Sequence, residues 1–152
     1  MKAMLFKAGI DVEHQVDFCI TGREAVDQLK DAYLHSMSYA AVFTDFNMPI
    51  MDGIDATLEI RKFLTNEMAI PLAKQPTILG ITGHAAPDLI QIANEAGMNE
   101  ILEKPVYYQD LKVILTNLNF DIDSKQKEWG VIIIIIILKI LSSVGLGFWG
   151  FG

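Results

Sequence analysis

The sequence contains only one cysteine, Cys19, among its 152 residues. A single thiol can form neither an internal disulfide nor a zinc site built from several cysteines. Cys19 lies in the apolar alternation VDFCI (16–20), and we interpret it as an inert residue of a buried strand. The shortage of cysteine is typical of a reducing, cytoplasmic setting.

Positive charge is also scarce, since 12 Lys and Arg residues stand against 19 Asp and Glu residues, for a formal net charge of −7. A protein that docks on nucleic acid needs clustered cations to neutralise phosphates, so no nucleic-acid partner is expected. The opening stretch MKAMLFKAGIDVEHQ has no apolar run of the length found in secretory signals. An apolar content of 51% in a chain of this length is sufficient for one compact domain.

Short apolar runs alternate with segments of helical periodicity, a pattern typical of βαβ units with a parallel sheet. Met1 to Lys7 reads as the end of a helix, and Thr21 with Glu24 predicts a capping box at the start of the next one. From residue 15 the order is βαβαβαβα. The predicted strands are 15–20, 39–44, 77–81 and 100–102, and the predicted helices are 22–34, 54–64, 87–97 and 109–118.

Three polar residues each follow one of these strands: Asp45 the second, Thr82 the third and Lys104 the fourth. Ligands of open parallel sheets bind at the carboxyl ends of strands, so we expect the three side chains to converge. A carboxylate can act as a nucleophile in phosphoryl transfer, a hydroxyl can bind a phosphoryl oxygen, and an ammonium can offset its charge. Taken singly, the three have ordinary explanations as a turn aspartate, a capping hydroxyl and a solvated lysine.

The segment from residue 1 to about residue 119 resembles the receiver domains of two-component and phosphorelay signalling. The resemblance is carried by TDFNMPIMDG (44–53), ITGHA (81–85) and EKP (103–105). It implies an α/β fold of the flavodoxin-like, doubly wound (βα)5 type with strand order 2-1-3-4-5. It also implies a signalling module that is not an enzyme in its own right.

By this resemblance, Asp45 accepts phosphate from the phosphohistidine of a histidine kinase or a histidine phosphotransfer protein. Thr82 is then expected to hydrogen-bond the phosphoryl group, and Lys104 to contact it. Mg²⁺ is expected on the Asp45 carboxylate and the backbone carbonyl of Asn47. Lys104-Pro105 falls where the family commonly has a cis peptide bond.

Two departures from the family pattern stand out. Receivers normally begin with an apolar strand that ends in a pair of acidic residues, and this sequence shows no such strand. We therefore expect a receiver without its first strand. Because the acidic pair normally binds Mg²⁺, we also expect a weakened Mg²⁺ site. Because that strand is central, its absence leaves the strands at 15–20 and 39–44 without the neighbour that separates them. Ile101 replaces the usual Tyr or Phe. An alternative function is therefore a degenerate pseudo-receiver that binds proteins without taking phosphate.

The sequence changes character after residue 119, where a polar linker (120–128) leads into an apolar tail (129–152). Trp129 and Trp149 bracket about 20 mostly apolar residues, which suits a transmembrane anchor holding the receiver on the cytosolic side of a membrane. A second interpretation makes VIIIIIIL (131–138) a buried strand that occupies the vacant central slot. A disordered or mistranslated tail is a third.

Overall fold

The computed structural model describes residues 1–118 and 131–136 of the chain. A parallel sheet of five strands has the order β1-β5-β2-β3-β4 and carries helices on both faces. The strands are β1 (Val16–Cys19), β2 (Ser38–Asp45), β3 (Thr77–Thr82), β4 (Glu100–Glu103) and β5 (Val131–Ile136). The helices are α1 (Lys2–Lys7), α2 (Gly22–Leu34), α3 (Gly53–Lys62), α4 (Pro87–Glu95) and α5 (Tyr108–Asn117). The predicted α/β fold class is confirmed.

Local signals fix the starts of the helices that follow β1 and β2. The Thr21 hydroxyl accepts from the Glu24 amide at 3.1 Å, as the capping box predicts, but the Glu24 carboxylate accepts from the Ile20 amide instead of the Thr21 amide. Asp52 caps α3 by accepting from the amides of Ile54 and Asp55, both at 2.9 Å. These caps set where each loop at the carboxyl edge of the sheet ends.

Successive residues of β2 and β3 alternate between two apolar cores. Val42 and Ile78 are buried in the cluster beneath α2 and α3, whereas Phe43 and Leu79 are buried in the cluster beneath α1 and α5. Both faces of these central strands are therefore shielded from water, as is usual in a doubly covered parallel sheet. A polar side chain at the end of such a strand starts from a buried position.

The segment 131–136 fills the slot that the sequence left vacant. It pairs in parallel with β1, from Val16↔Ile133 to Cys19↔Ile136, and with β2, from Ser38↔Val131 to Thr44↔Ile136. The expectation of a sheet without its separating strand is thereby corrected, because a segment from far along the chain takes that place. This is the location that the second interpretation of the tail proposed.

None of the described helices is long and apolar enough to cross a membrane. The anchor interpretation of 129–152 gains no support from the described residues, since 131–136 form a strand. Residues 119–130, with the predicted linker, and residues 137–152 lie outside the described residues.

The amino edge of the sheet is organised around Arg61, at the end of α3. Its Nε donates to the Gly97 carbonyl at 3.0 Å, and Nη2 donates to Asn99 Oδ1 at 2.8 Å. Its Nη1 donates to Gln75 Oε1 and to the Pro76 carbonyl, both at 3.0 Å. Arg61 thus ties α3 to the segments that lead into β3 and β4.

Candidate functional site

Asp45 ends β2 and is fully buried, with 0% of its surface exposed. Its Oδ1 accepts a hydrogen bond from the Asn47 amide at 2.7 Å, which is the contact of an ordinary turn aspartate. Its Oδ2 pairs with the Lys104 ammonium and accepts no hydrogen bond from the described residues. A turn aspartate is normally exposed, so burial against a cation distinguishes Asp45 from that ordinary type.

Lys104 follows β4 and directs its side chain inward, where only 16% remains exposed. Its backbone amide donates to the Thr82 carbonyl at 2.8 Å, which continues the pairing of β3 with β4 beyond Glu103. The Lys104-Pro105 peptide bond is cis, as the family resemblance implies. Lys104 is a buried partner of Asp45 and not a solvated surface lysine.

Thr82 ends β3, one residue beyond Ile81, which is the register partner of Asp45. Only 4% of Thr82 is exposed. Its hydroxyl donates to the His84 carbonyl at 3.0 Å and lies 3.2 Å from the His84 amide, which donates to it. The hydroxyl is therefore engaged by the β3–α4 loop, within one residue of the strand position opposite Asp45.

The predicted Mg²⁺ ligands lie together, but they form a small set. The Asp45 carboxylate and the backbone of the exposed Asn47 offer hard oxygen atoms of the kind that Mg²⁺ prefers. Across 1–118 and 131–136, no group of three or more Asp, Glu, His or Cys residues is arranged to hold a metal. The residues present therefore fit a site in which water supplies most ligands.

Sequence reasoning missed the role of Gly53. A Cβ atom at Gly53 would lie 2.4 Å from the Asp45 carbonyl oxygen and 2.8 Å from Thr44 Oγ1, so only glycine lets α3 begin against the end of β2. The available signal was the pair Asp52-Gly53, since Asp before Gly is a common turn pair. His84 is an exposed loop residue, and its Nδ1 lies 3.9 Å from Glu103 Oε1.

A family model describing the response regulator receiver domain matches residues 2–116. The chain belongs to the receiver domain family. In the family's strand order, the central position that an N-terminal strand normally takes is held here by β5.

Relatives of this receiver domain include histidine kinases and a two-component response regulator. It is 32% identical over 116 residues to the osmosensing histidine protein kinase SLN1 of Saccharomyces cerevisiae, covering 76% of this chain and 9% of the kinase. It is 36% identical over 104 residues to the two-component response regulator 24 of Arabidopsis thaliana, covering 68% of this chain and 66% of that protein. The matched region thus spans less than two thirds of either relative.

Among solved structures, the receiver domain of the sensor histidine kinase PA1611 from Pseudomonas aeruginosa matches with a TM-score of 0.58 and 28% identity. The match covers 81% of this chain and 85% of that chain, and that structure has a magnesium ion coordinated in its active site cleft. The chemotaxis protein CheY4 of Vibrio cholerae, 21% identical, has a TM-score of 0.59 over 77% of this chain and 87% of its own, and supports the fold. The chain is homologous to phosphorelay receiver domains.

Proposed function

We propose that this receiver domain accepts a phosphoryl group on Asp45 from the phosphohistidine of a histidine kinase or a histidine phosphotransfer protein. The observation that carries the proposal is the pairing of the fully buried Asp45 carboxylate with the Lys104 ammonium at the edge where Thr82 ends its strand. A buried charge is costly unless it is compensated, and this pair lies at the carboxyl ends of parallel strands, where ligands of such sheets bind. The cytosol, where the cysteine stays reduced, is the proposed setting.

The proposed step is an in-line displacement at phosphorus. A carboxylate oxygen of Asp45 attacks, a P–O bond forms, the P–N bond of the phosphohistidine breaks, and the electron pair stays on the imidazole nitrogen. The Asn47 amide holds Oδ1 and so fixes the plane of the carboxylate. The Lys104 ammonium offsets the negative charge brought by the phosphoryl group.

Thr82 is proposed to bind the transferred group. Its hydroxyl is held by two hydrogen bonds to His84 and by none to Asp45 among the hydrogen bonds of the described residues. Rotation of the hydroxyl toward a phosphoryl oxygen would release both bonds and with them the start of the β3–α4 loop. The site would thus communicate its state to that loop.

Mg²⁺ is proposed to bind to Asp45 and to the Asn47 carbonyl, where it would supply positive charge to the phosphoryl oxygens. With only these two protein donors, water must complete the coordination, and we expect weaker binding than at a site with several carboxylates. Asp45 and Asn47 are positioned without the ion, because a hydrogen bond joins them directly.

Intact-mass measurement of the full chain after incubation with acetyl phosphate at increasing Mg²⁺ tests the proposal. We expect the mass of one phosphoryl group to be added, with a Mg²⁺ requirement, and no addition to Asp45→Asn. Asp55→Asn, an exposed acid in the first turn of α3, is the matched control and should label normally. No added mass at any Mg²⁺ concentration would favour the pseudo-receiver, and labelling of Asp45→Asn would place the acceptor elsewhere.

A further inference from the structure

The proposed function does not use the most unusual feature of the sheet, which is the position of β5. This strand pairs with β1 on one side and with β2 on the other, so β1 is joined to the rest of the sheet only through β5. Without β5, β1 and β2 would border an open slot two strand spacings wide, about 10 Å. Each border would present an unpaired row of backbone amides and carbonyls.

The two borders of this slot are linked by side chains as well. Tyr39 on β2 donates from its hydroxyl to Asp17 Oδ2 on β1 at 2.7 Å. Tyr39 is buried. Burial, and to a smaller extent the hydrogen bond to Asp17, raise the pKa of its hydroxyl, so the hydroxyl stays protonated and keeps donating at neutral pH. This hydrogen bond helps to keep β1 and β2 at the spacing that a strand between them requires.

The segment that fills the slot comes late in the chain. Pairing of β1 with β5 joins residues separated by most of the sequence, and contacts of such long range form slowly. Strands β1 to β4 and all five helices precede β5, so they can assemble first and present the slot to solvent.

The filling segment also carries little information about its own register. Residues 132–137 are six consecutive isoleucines, so a shift along the slot exchanges one isoleucine for another. An apolar, β-branched segment of this kind pairs readily with any open strand edge of matching length. The same segment of another molecule fits the slot equally well, because it has the same sequence.

We propose that the slot between β1 and β2 is a strand-binding site that takes residues 131–136 of a second copy of this chain in place of its own, and so forms an exchanged dimer. In this dimer each receiver sheet is completed by its partner copy. Since β5 is paired as far as Thr44, the residue before Asp45, the strand of the second copy would complete the edge of the sheet at which Asp45 lies. Exchange of an identical element is a low-cost route to a dimer.

Isotopically heavy and light copies of the full chain test this by native mass spectrometry. When the two are unfolded and refolded together, we expect dimers that include the heavy-light hybrid. When preformed heavy and light dimers are mixed in native buffer, we expect no hybrid, because an exchanged strand leaves only by opening the sheet. Monomer alone after co-refolding at concentrations up to about 1 mM, or rapid hybrid formation in native buffer, would overturn the proposal.

Cys19 supplies an internal probe of slot occupancy. It is 2% exposed, it pairs with Ile136, and burial raises the pKa of its thiol to about 12, so thiol reagents should reach it only when the slot opens. Ile134→Pro removes a backbone donor from the middle of β5, and Ile134→Val is the matched control. We expect Ile134→Pro to lose the dimer and to label at Cys19 at least about tenfold faster. A dimer that survives this substitution would contradict strand exchange.

Discussion

Each of the two edges of the sheet holds a charged side chain, fully buried Asp45 at one edge and partly buried Arg61 at the other, and satisfies it in a different way. At the carboxyl edge, Asp45 is compensated by one opposite charge, Lys104. At the amino edge, Arg61 donates four hydrogen bonds to neutral oxygens, and no ion pair of Arg61 is found within the described ranges. Burial lowers the pKa of the Arg61 guanidinium, yet it remains charged at neutral pH.

Under the proposed function, this difference separates a site that changes its charge partners on phosphorylation from one that keeps them. A single ion pair can be replaced when a phosphoryl group arrives, because the cation then meets a new anion. A guanidinium surrounded by neutral oxygens from two segments, 75–76 and 97–99, has no such substitute, and any movement leaves several acceptors without donors. Under the proposed function, the charge at the carboxyl edge serves chemistry, whereas the charge of Arg61 at the amino edge connects segments of the fold.

The largest effect should come from removing the cation at the carboxyl edge. Lys104→Met leaves the Asp45 carboxylate buried without its counter-charge, and we expect the free energy of unfolding to fall by about 3 kcal/mol. Urea unfolding at pH 7 measures this. The double variant Asp45→Asn/Lys104→Met should recover more than half of the loss, since no unpaired charge remains. Equal losses in the single and double variants would show that Lys104 acts through packing alone.

A somewhat smaller effect is expected at the amino edge. Arg61→Met removes the donors to the carbonyls of Gly97 and Pro76 and to two side-chain amides, and should lower the free energy of unfolding by about 2 kcal/mol. The exposed neighbour Lys62→Met is the control. Phosphoryl uptake per folded molecule should be unchanged by Arg61→Met, and a loss of uptake in fully folded protein would break the proposed contrast between the edges.

The smallest effect is expected in a third charge cluster, on the outer surface between α2 and α3. Glu59 accepts two hydrogen bonds from Arg23 at 2.8 Å and one from Lys30 at 2.9 Å, and these bonds lower the pKa of Glu59 to about 2. Glu59→Gln should cost about 1 kcal/mol or less, because the cluster is partly solvated, and the cost should shrink as salt is added.

The pH dependence of this cluster has a definite sign. Because the folded pKa of Glu59 is depressed, its contribution is present above the ordinary carboxyl value of 4.5 and is lost as the pH falls from there toward 2. Acid unfolding of Glu59→Gln should therefore be less steep in this window than that of the parent chain. Glu67→Gln, an exposed acid in the turn after α3, is the control and should leave the slope unchanged.

The sequence predicted the three strand ends that build the site, because that signal is local. An apolar run that stops on a polar residue indicates both the strand and its end, and Asp45, Thr82 and Lys104 all lie where this pattern put them. Because the strands are parallel, all three residues lie at the same edge of the sheet. The helix predicted from residue 54 begins at Gly53, where Asp52-Gly53 has the turn chemistry of a helix start.

Other features depend on contacts between distant segments and have no local signature. The run of isoleucines suits a strand or a membrane helix equally well by composition, and only the space between β1 and β2 distinguishes them. The oxygens around Arg61 come from residues up to 38 positions away, and nothing in the spacing of those residues points to a guanidinium. Both the position of β5 and the surroundings of Arg61 depend on contacts between residues far apart in the sequence.

The direction of β5 determines the edge of the sheet at which residue 136 lies. All five strands are parallel, so Ile136 lies at the same edge as Asp45. A peptide joined by a short tether directly after Ile136 would be held beside the Asp45 carboxylate, at an effective concentration on the order of millimolar. Under the proposed function, a fluorophore attached at this position would lie next to the phosphorylated residue, so the position suits a phosphorylation sensor.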